Sequence, residues 1–574
     1  MKELREILKQ TAKDLFDVDV EPELTRPEEQ FGDYSTNLAM KLGAKSGKPP
    51  REIAETLVNK LRGAGMLAKT EIAGPGFINF FLSDKTLLDS LSRQPAKAYE
   101  GQTVVVEYSD PNPFKVLHVG HLYTSVVGDA IANLFGAAGA KVARVNFGGD
   151  VGLHVAKTMW AILKWLGGPN ADKLQDINPN ERPAWLSERY VEGNEAYEMS
   201  SAAGNDPQVK LDVLQLNRML YRVAANLTDE SVGLKTISDR EVMLQEAALQ
   251  WIYKETREWS YDYFKGFYAK IGAKFDKYYP ESEMVEPGLK MVRENIGKIF
   301  EESDGAVVFK GKVHNMHTRV FINSEGLPTY ETKDVGLILR KWEDYRFDRS
   351  IIITGNDIYE YMQVVLKAIE QIEPDLAKKT THITHGIVKP TGGIKMSSRL
   401  GNIIKAEDVL EATNAANKTA NQQENFDVAL GAIKYSFLKN RIGADIIFDP
   451  AESVSLQGNS GPYLQYAYVR ARSILQKSSN TGGVLDEKLE TDERSLARKI
   501  GEFSEVVEQA TAELLPSNIC TYLYELAQNF NRFYEKNRIL GDERQVLRLK
   551  LVEAYAAVLK NGLQLLNIAA PEKM

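Results

Sequence analysis

The chain has 574 residues, a formal net charge of −8 and one cysteine, Cys520. Such a length exceeds what one hydrophobic core supports and implies two to four domains. The lone cysteine excludes an internal disulfide and a cysteine-rich zinc site, and the acidic balance speaks against broad electrostatic adhesion to nucleic acid while leaving room for a local basic face.

The amino terminus, Met1-Lys2-Glu3-Leu4, lacks the apolar stretch of a signal peptide. No apolar run reaches the roughly 18 residues that a bilayer span needs, so the sequence predicts a cytoplasmic protein with no membrane segment. Residues 1–97 open with helical spacing of Leu4, Ile7, Leu8, Ala12 and Leu15 and end with Gly74-Pro75-Gly76 feeding a strand at Phe77–Leu82. That pattern predicts a small α+β domain, closed by a linker at Arg93–Lys97.

The run Val104-Val105-Val106-Glu107-Tyr108 has the β-branched character of a strand buried on both faces. Further strand-like runs at Lys141–Asn146, Ser350–Thr354 and Thr381–Val388 alternate with helical patterns at Asp334–Trp342 and Ile358–Ile372. Alternation of this kind predicts a doubly wound, parallel, Rossmann-like core over residues 98–449. Within it, residues 167–300 turn helical and charged, punctuated by Pro169, Pro179, Pro183 and Pro207, and are expected to form an insertion rather than core sheet. From residue 450 to 574 the pattern is helical, with Ser495–Ala512 and Val546–Leu566 as examples, and predicts a helical bundle. The expected fold class is multidomain α/β.

The most informative stretch runs from Glu107-Tyr108-Ser109-Asp110-Pro111-Asn112 through Lys115 to His118-Val119-Gly120-His121. It reads as strand, loop and helix start. A helix N-terminus favours phosphate, Gly120 allows close approach to the backbone, and the two imidazoles can donate to phosphate oxygens. On its own a His-x-x-His pair is more readily a packed helix cap or a metal site than a phosphate contact. A second element, Lys395-Met396-Ser397-Ser398-Arg399, is flanked by glycines and reads as a cationic loop able to clamp a polyphosphate. Alone it would pass for a solvated loop; the two elements together, in this order, are far more specific.

Together they resemble the His-Ile-Gly-His and Lys-Met-Ser-Lys-Ser signatures of class I aminoacyl-tRNA synthetases. Ser109-Asp110-Pro111-Asn112 with Lys115 ahead of His118 resembles the form found in arginyl-tRNA synthetases, as does Tyr330 with Asp334. The resemblance extends to Gln30–Asn37, Gly74–Leu82, Ser460–Ala467 and the ending Ala570–Met574. It implies ATP-dependent activation of L-arginine and its transfer to tRNA(Arg), with Mg2+ on the leaving pyrophosphate; a monomer is the favoured expectation, with oligomeric state open. No metal site built from protein groups alone is expected.

The resemblance also implies roles. Lys115, His118, His121, Lys395 and Arg399 would be catalytic. ATP would lie on Asn112, His118, Gly120, His121, Asn356, Asp357, His385, Gly386, Ile387, Val388, Lys395 and Met396. Arginine would be held by Glu107, Ser109, Asn112, Tyr330, Asp334 and Gln363, and a guanidinium does call for such carboxylates and planar acceptors. Transfer RNA would meet Phe31, Asn37 and Phe77 near one end of the chain and Tyr463, Tyr466 and Arg470 near the other. The tyrosines among these serve helix packing equally well. Ser398 stands where the class pattern has a second lysine, and Lys115 is the expected substitute.

Overall fold

The computed structural model describes residues 2–62, 65–202, 205–225, 227, 240–391, 404–421, 425–478 and 488–574. Lys395, Met396 and Arg399 lie outside these residues.

Five parallel strands form the central sheet, in the spatial order Thr380–His385, Arg349–Gly355, Thr103–Glu107, Lys141–Gly148 and Lys277–Pro280. Their apolar runs are explained by burial on both faces. Val104, Val106, Ile351 and Ile353 pack into one core with the helix Val119–Ala137. Val105, Val145 and Ile352 belong to a second core, with the helices Glu281–Glu294, Tyr330–Tyr345 and Tyr359–Ile372. Alternate side chains of a strand point to opposite faces, so two helical layers are required. From Thr103–Glu107 the chain proceeds to Lys141–Gly148 on one side, and Arg349–Gly355 lies on the other. A crevice therefore opens at the carboxyl ends of these strands, where such sheets bind ligands.

The expected insertion needs a correction. Helices Arg182–Ser201, Gln208–Ala225 and Arg240–Ile271 do stand apart, and their residues Leu186, Leu220 and Tyr253 share a separate core. Lys277–Pro280, however, pairs in parallel with Val145–Gly148 and is the edge strand of the main sheet. With only four residues, two of them tyrosines, it carries too short a pattern to read. A small antiparallel sheet of Glu301–Ser303, Ala306–Phe309 and Arg319–Ile322 was likewise not expected. The run Thr381–Val388 divides into Thr380–His385 in the main sheet and Val388–Pro390 paired with Ile446–Phe448. Gly386 marks the division, because a Cβ there would sit 2.3 Å from the carbonyl oxygen of Ala444.

At the amino end, helices Lys2–Phe16, Leu38–Ser46 and Pro50–Leu61 cover an antiparallel sheet ordered Tyr34–Thr36, Phe77–Leu82, Leu67–Ala73. At the carboxyl end, helices Gly461–Lys477, Thr491–Gly501, Phe503–Glu513, Pro516–Lys536 and Gln545–Leu565 form the bundle, with Cys520 buried inside it. The expected helix Ser495–Ala512 is thus broken at Glu502. Gly501 precedes the break, and a Cβ on it would meet the Ser90 hydroxyl at 2.6 Å. The two ends of the chain are joined by ion pairs. Asp33 accepts from the Leu82 amide at 2.7 Å and pairs with Arg494 at 2.6 Å and Arg498 at 3.3 Å, while Arg26 meets Glu505 at 2.7 Å.

Candidate active site

A cleft of about 1020 Å³ opens over the carboxyl ends of Thr103–Glu107 and Arg349–Gly355. Its floor begins where the first strand leaves the sheet. Ser109 (φ 76°), Asp110 (φ 44°) and Phe114 (φ 70°) all adopt left-handed backbone, which costs side-chain-bearing residues roughly 1–3 kcal/mol each. Surrounding bonds fix the loop in place. The Asp110 carboxylate accepts from the Phe147 amide at 2.7 Å, Ser109 shares a hydrogen bond with the Tyr268 hydroxyl at 2.8 Å, and the Phe114 amide donates to Ser260 at 2.8 Å. Burial and the neighbouring Glu107 hold Asp110 well above the usual carboxylate range.

The helix Val119–Ala137 begins with a reciprocal cap made of imidazoles. His118 Nδ1 accepts from the Gly120 amide at 3.1 Å, and His121 Nδ1 accepts from the His118 amide at 3.1 Å. Both rings are thereby held as the Nε2–H tautomer. They lie 3.7 Å apart between centroids. Burial, followed by Lys115 and His385, lowers the His118 pKa to about 4, and burial, followed by His118 and Lys115, takes His121 well below its ordinary value, so both are neutral hydrogen-bond donors at physiological pH. This revises the sequence expectation in one respect. The Val119 amide already bonds the Ile404 carbonyl at 2.9 Å and the Gly120 amide is taken by the cap, so the imidazoles replace these two backbone groups as donors to the cleft. Gly120 is required by the cap itself, since a Cβ would sit 2.9 Å from the His118 ring.

Lys115 lines the cleft beside these rings, over the Tyr190 ring at 5.6 Å. No ion pair holds it among the described residues, and burial lowers its pKa. Across the cleft, His385 bonds the Thr124 hydroxyl at 2.6 Å and the Gly386 carbonyl at 2.8 Å. Gly386, Ile387, Val388, Asn356 and Asp357 line the same end. Ile387 is 64% exposed, which presents an apolar side chain to any flat ring placed there.

The other end is acidic. Asp334, on the helix Tyr330–Tyr345, accepts a hydrogen bond from the Tyr361 hydroxyl. Burial pushes its pKa up to about 8; Glu107 and Glu281 add to the rise and the Tyr361 bond opposes it. Glu107 is buried against Lys341, which is itself fully buried. Glu281 pairs with Lys333 in the same way. Asn112 also lines this end, packed so closely against Gly149 that a Cβ there would sit 2.1 Å from its Oδ1. Tyr330 stands at the mouth, about half exposed.

The cleft thus brings together Glu107, Ser109, Asn112, Lys115, His118, Gly120, His121, Tyr330, Asp334, Asn356, Asp357, His385, Gly386, Ile387 and Val388. Gln363 is not among its lining residues, whereas Tyr361, two positions earlier on the same helix, is. Lys341, Tyr361 and Arg319 escaped sequence reasoning. Only helical phase relative to Asp334 could have indicated Lys341, which follows it by seven residues, or two turns.

A strand, an imidazole-capped helix start and, facing them, a strand end followed by the exposed Ile387, all at the switch point of a parallel sheet, define the catalytic domain of a class I aminoacyl-tRNA synthetase. Three family models cover nearly all of the chain: "Arginyl tRNA synthetase N terminal domain" at residues 2–82, "tRNA synthetases class I (R), catalytic domain" at 84–199 and 208–449, and "DALR anticodon binding domain" at 464–574. The chain belongs to the arginyl-tRNA synthetases. It is 31% identical over 582 residues to the arginine–tRNA ligase of Bdellovibrio bacteriovorus, covering 96% of this chain and 93% of that one. It is 28% identical over 597 residues to that of Phocaeicola vulgatus, covering 96% and 95%. The arginyl-tRNA synthetase of Thermus thermophilus has the same fold, with a TM-score of 0.76 at 24% identity over 100% of both chains. The chain is accordingly an ATP-using ligase that joins arginine to tRNA. No described helix is long and apolar enough to cross a membrane.

Proposed function

We propose that the two ends of the cleft divide the reaction between them. ATP lies along the imidazole end, with its base against Gly386, Ile387 and Val388, its ribose near Asn356 and Asp357, and its phosphates facing Lys115 and the Nε2–H groups of His118 and His121. Arginine lies at the acidic end, its guanidinium on Asp334 and Tyr330 and its remaining polar groups on Ser109, Asn112 and Glu107. Its carboxylate oxygen then bonds to the α-phosphorus as the bond to the β-phosphate breaks, and pyrophosphate leaves. In the second step the terminal ribose hydroxyl of tRNA bonds to the acyl carbon and AMP departs.

Neutral donors and one unpaired cation suit this chemistry. They stabilise charge growing on the phosphate without a strong ground-state ion pair, which is how preorganised electrostatic catalysis works. Lys395, Met396 and Arg399 would complete the clamp. Among the described residues no three His, Cys, Asp or Glu side chains gather as a metal cage, so Mg2+ would come with the ATP phosphates.

We assign tRNA contacts to the two ends of the chain. Phe31 and Phe77 are exposed aromatics on the amino-terminal domain, with Asn37 at a helix start nearby. On the bundle, Arg470 sits 5.1 Å over Tyr466 and 5.8 Å from Tyr534, and Tyr463 accepts from Asn531 at 2.8 Å. Exposed aromatic faces with a cation suit unstacked bases. Tyr468, by contrast, is buried in packing. The enzyme is proposed to act as a cytoplasmic monomer.

The observation that carries the proposal is the joining, in one cleft, of an imidazole donor edge with a buried carboxylate pocket. The test is Lys115→Ala. Arginine-dependent ATP–pyrophosphate exchange should fall about a hundredfold with the arginine KM unchanged, the loss typical of one key charge donor. A change within about twofold would overturn the role of Lys115.

A further inference from the structure

His154 lies outside every role assigned so far. It follows the strand Lys141–Gly148, in the first turn of the helix Leu153–Leu166. Its Nε2 lies 2.8 Å from the Gly149 carbonyl, an acceptor with no proton to give, so Nε2 carries the hydrogen. Burial drives the imidazole pKa down to about 3, so at neutral pH the second nitrogen, Nδ1, is bare and can only accept. The Tyr330 hydroxyl lies 3.1 Å from that Nδ1, and the two rings stack at 25°. Tyr330 must therefore donate its single proton to His154. What its oxygen can offer the cleft is lone pairs.

We propose that His154 is a positioning residue that fixes the polarity of the arginine pocket. The chain of bonds from Gly149 through His154 to Tyr330 makes the tyrosine hydroxyl an obligate acceptor towards substrate. An acceptor suits the N–H edge of a guanidinium. It opposes the carbonyl of an isosteric ureido or amide side chain, for which a rotatable hydroxyl would otherwise supply a donor. A site that offers one hydrogen-bond polarity discriminates, because the wrong group meets an acceptor it cannot donate to and both are left unpaired once the bound side chain covers the mouth. Gly149 also packs against Asn112, so the same chain links both sides of the pocket.

The inference rests on the placement of arginine beside Tyr330, and the test separates the two. Arginine KM, ATP KM and kcat are measured for His154→Leu, His154→Gln, Tyr330→Phe and the Leu/Phe double variant, with citrulline as the ureido competitor. His154→Leu should raise the arginine KM about tenfold or more, as loss of one ordered bond to a charged group implies, with kcat and ATP KM within about twofold. The preference for arginine over citrulline should fall by a similar factor. His154→Gln should restore both, since its amide accepts from Tyr330 and donates to Gly149. In the Tyr330→Phe background His154→Leu should do nothing further.

If Tyr330→Phe raises the arginine KM but His154→Leu leaves it within twofold, or acts undiminished without the hydroxyl, the inference is overturned. If Tyr330→Phe itself has no effect, the placement of arginine fails and the inference with it. Should His154→Leu not fold, 15N shifts of the wild-type imidazole decide: a protonated Nε2 and bare Nδ1 at pH 7 are expected, and the opposite tautomer refutes the mechanism.

Discussion

Lowering the pH from 8 to 6 should weaken arginine binding about fiftyfold. Asp334 has its pKa pushed up to about 8 by burial among Glu107 and Glu281. An acid whose pKa is raised to about 8 is mostly protonated at pH 7, and the guanidinium needs the ionised form. With a pKa of about 8 the carboxylate is about half ionised at pH 8 and about 1% ionised at pH 6, and affinity follows that fraction. Above pH 8 little remains to be gained, under a further twofold. The bound guanidinium lowers the same pKa, so at pH 7 each arginine should expel about 0.9 proton. Titration calorimetry in buffers of different ionisation enthalpy reads both the Kd and the proton count. Asp334→Asn should bind weakly with no dependence on pH across this range. A wild-type Kd that changes less than about threefold between pH 6 and 8, with no proton release, would refute a protonated Asp334 in the free enzyme, and an Asp334→Asn variant that binds arginine as tightly as wild type would refute Asp334 as the guanidinium's carboxylate.

Two further outcomes follow from the bundle and from the buried pairs. Tyr466→Ala and Arg470→Ala should each raise the KM for tRNA about tenfold and leave the arginine KM alone, the scale of one lost base–aromatic or cation contact; unchanged tRNA kinetics would assign these side chains to packing. Lys341→Met should destabilise the fold by about 3–5 kcal/mol in denaturant titration, because it strands the buried Glu107 carboxylate, and adding Glu107→Gln should recover much of that loss.

The parts of this molecule that were legible in the sequence are those fixed by short-range pattern. Val104–Val106 and Ile351–Ile353 announce strands covered on both faces, and the imidazole-capped helix start is a contiguous string. What was not legible depends on distant partners. Lys341 and Lys333 look like ordinary charges of a helix, and only the folded chain brings them to Glu107 and Glu281. Tyr361 and Gln363 differ by two positions, about 200° of helical phase, and a loose match cannot decide which side chain turns inward. Gly501 is a local sign that the helix could end there, but the close approach of Ser90, which leaves no room for a Cβ on it, lies some four hundred residues away in the sequence. The strand Lys277–Pro280 is too short for its periodicity to show.

Charging unfractionated tRNA with each of the standard amino acids in labelled form shows whether one cleft activates arginine and hands it to tRNA. Arginine alone should be charged, with the arginine KM greatly raised by Asp334→Asn and the rate strongly reduced by Lys115→Ala. Charging by a different amino acid would contradict the arginine pocket built on Asp334 and Tyr330. No charging by any of them, from folded protein supplied with ATP and Mg2+, would contradict the catalytic reading of the cleft itself.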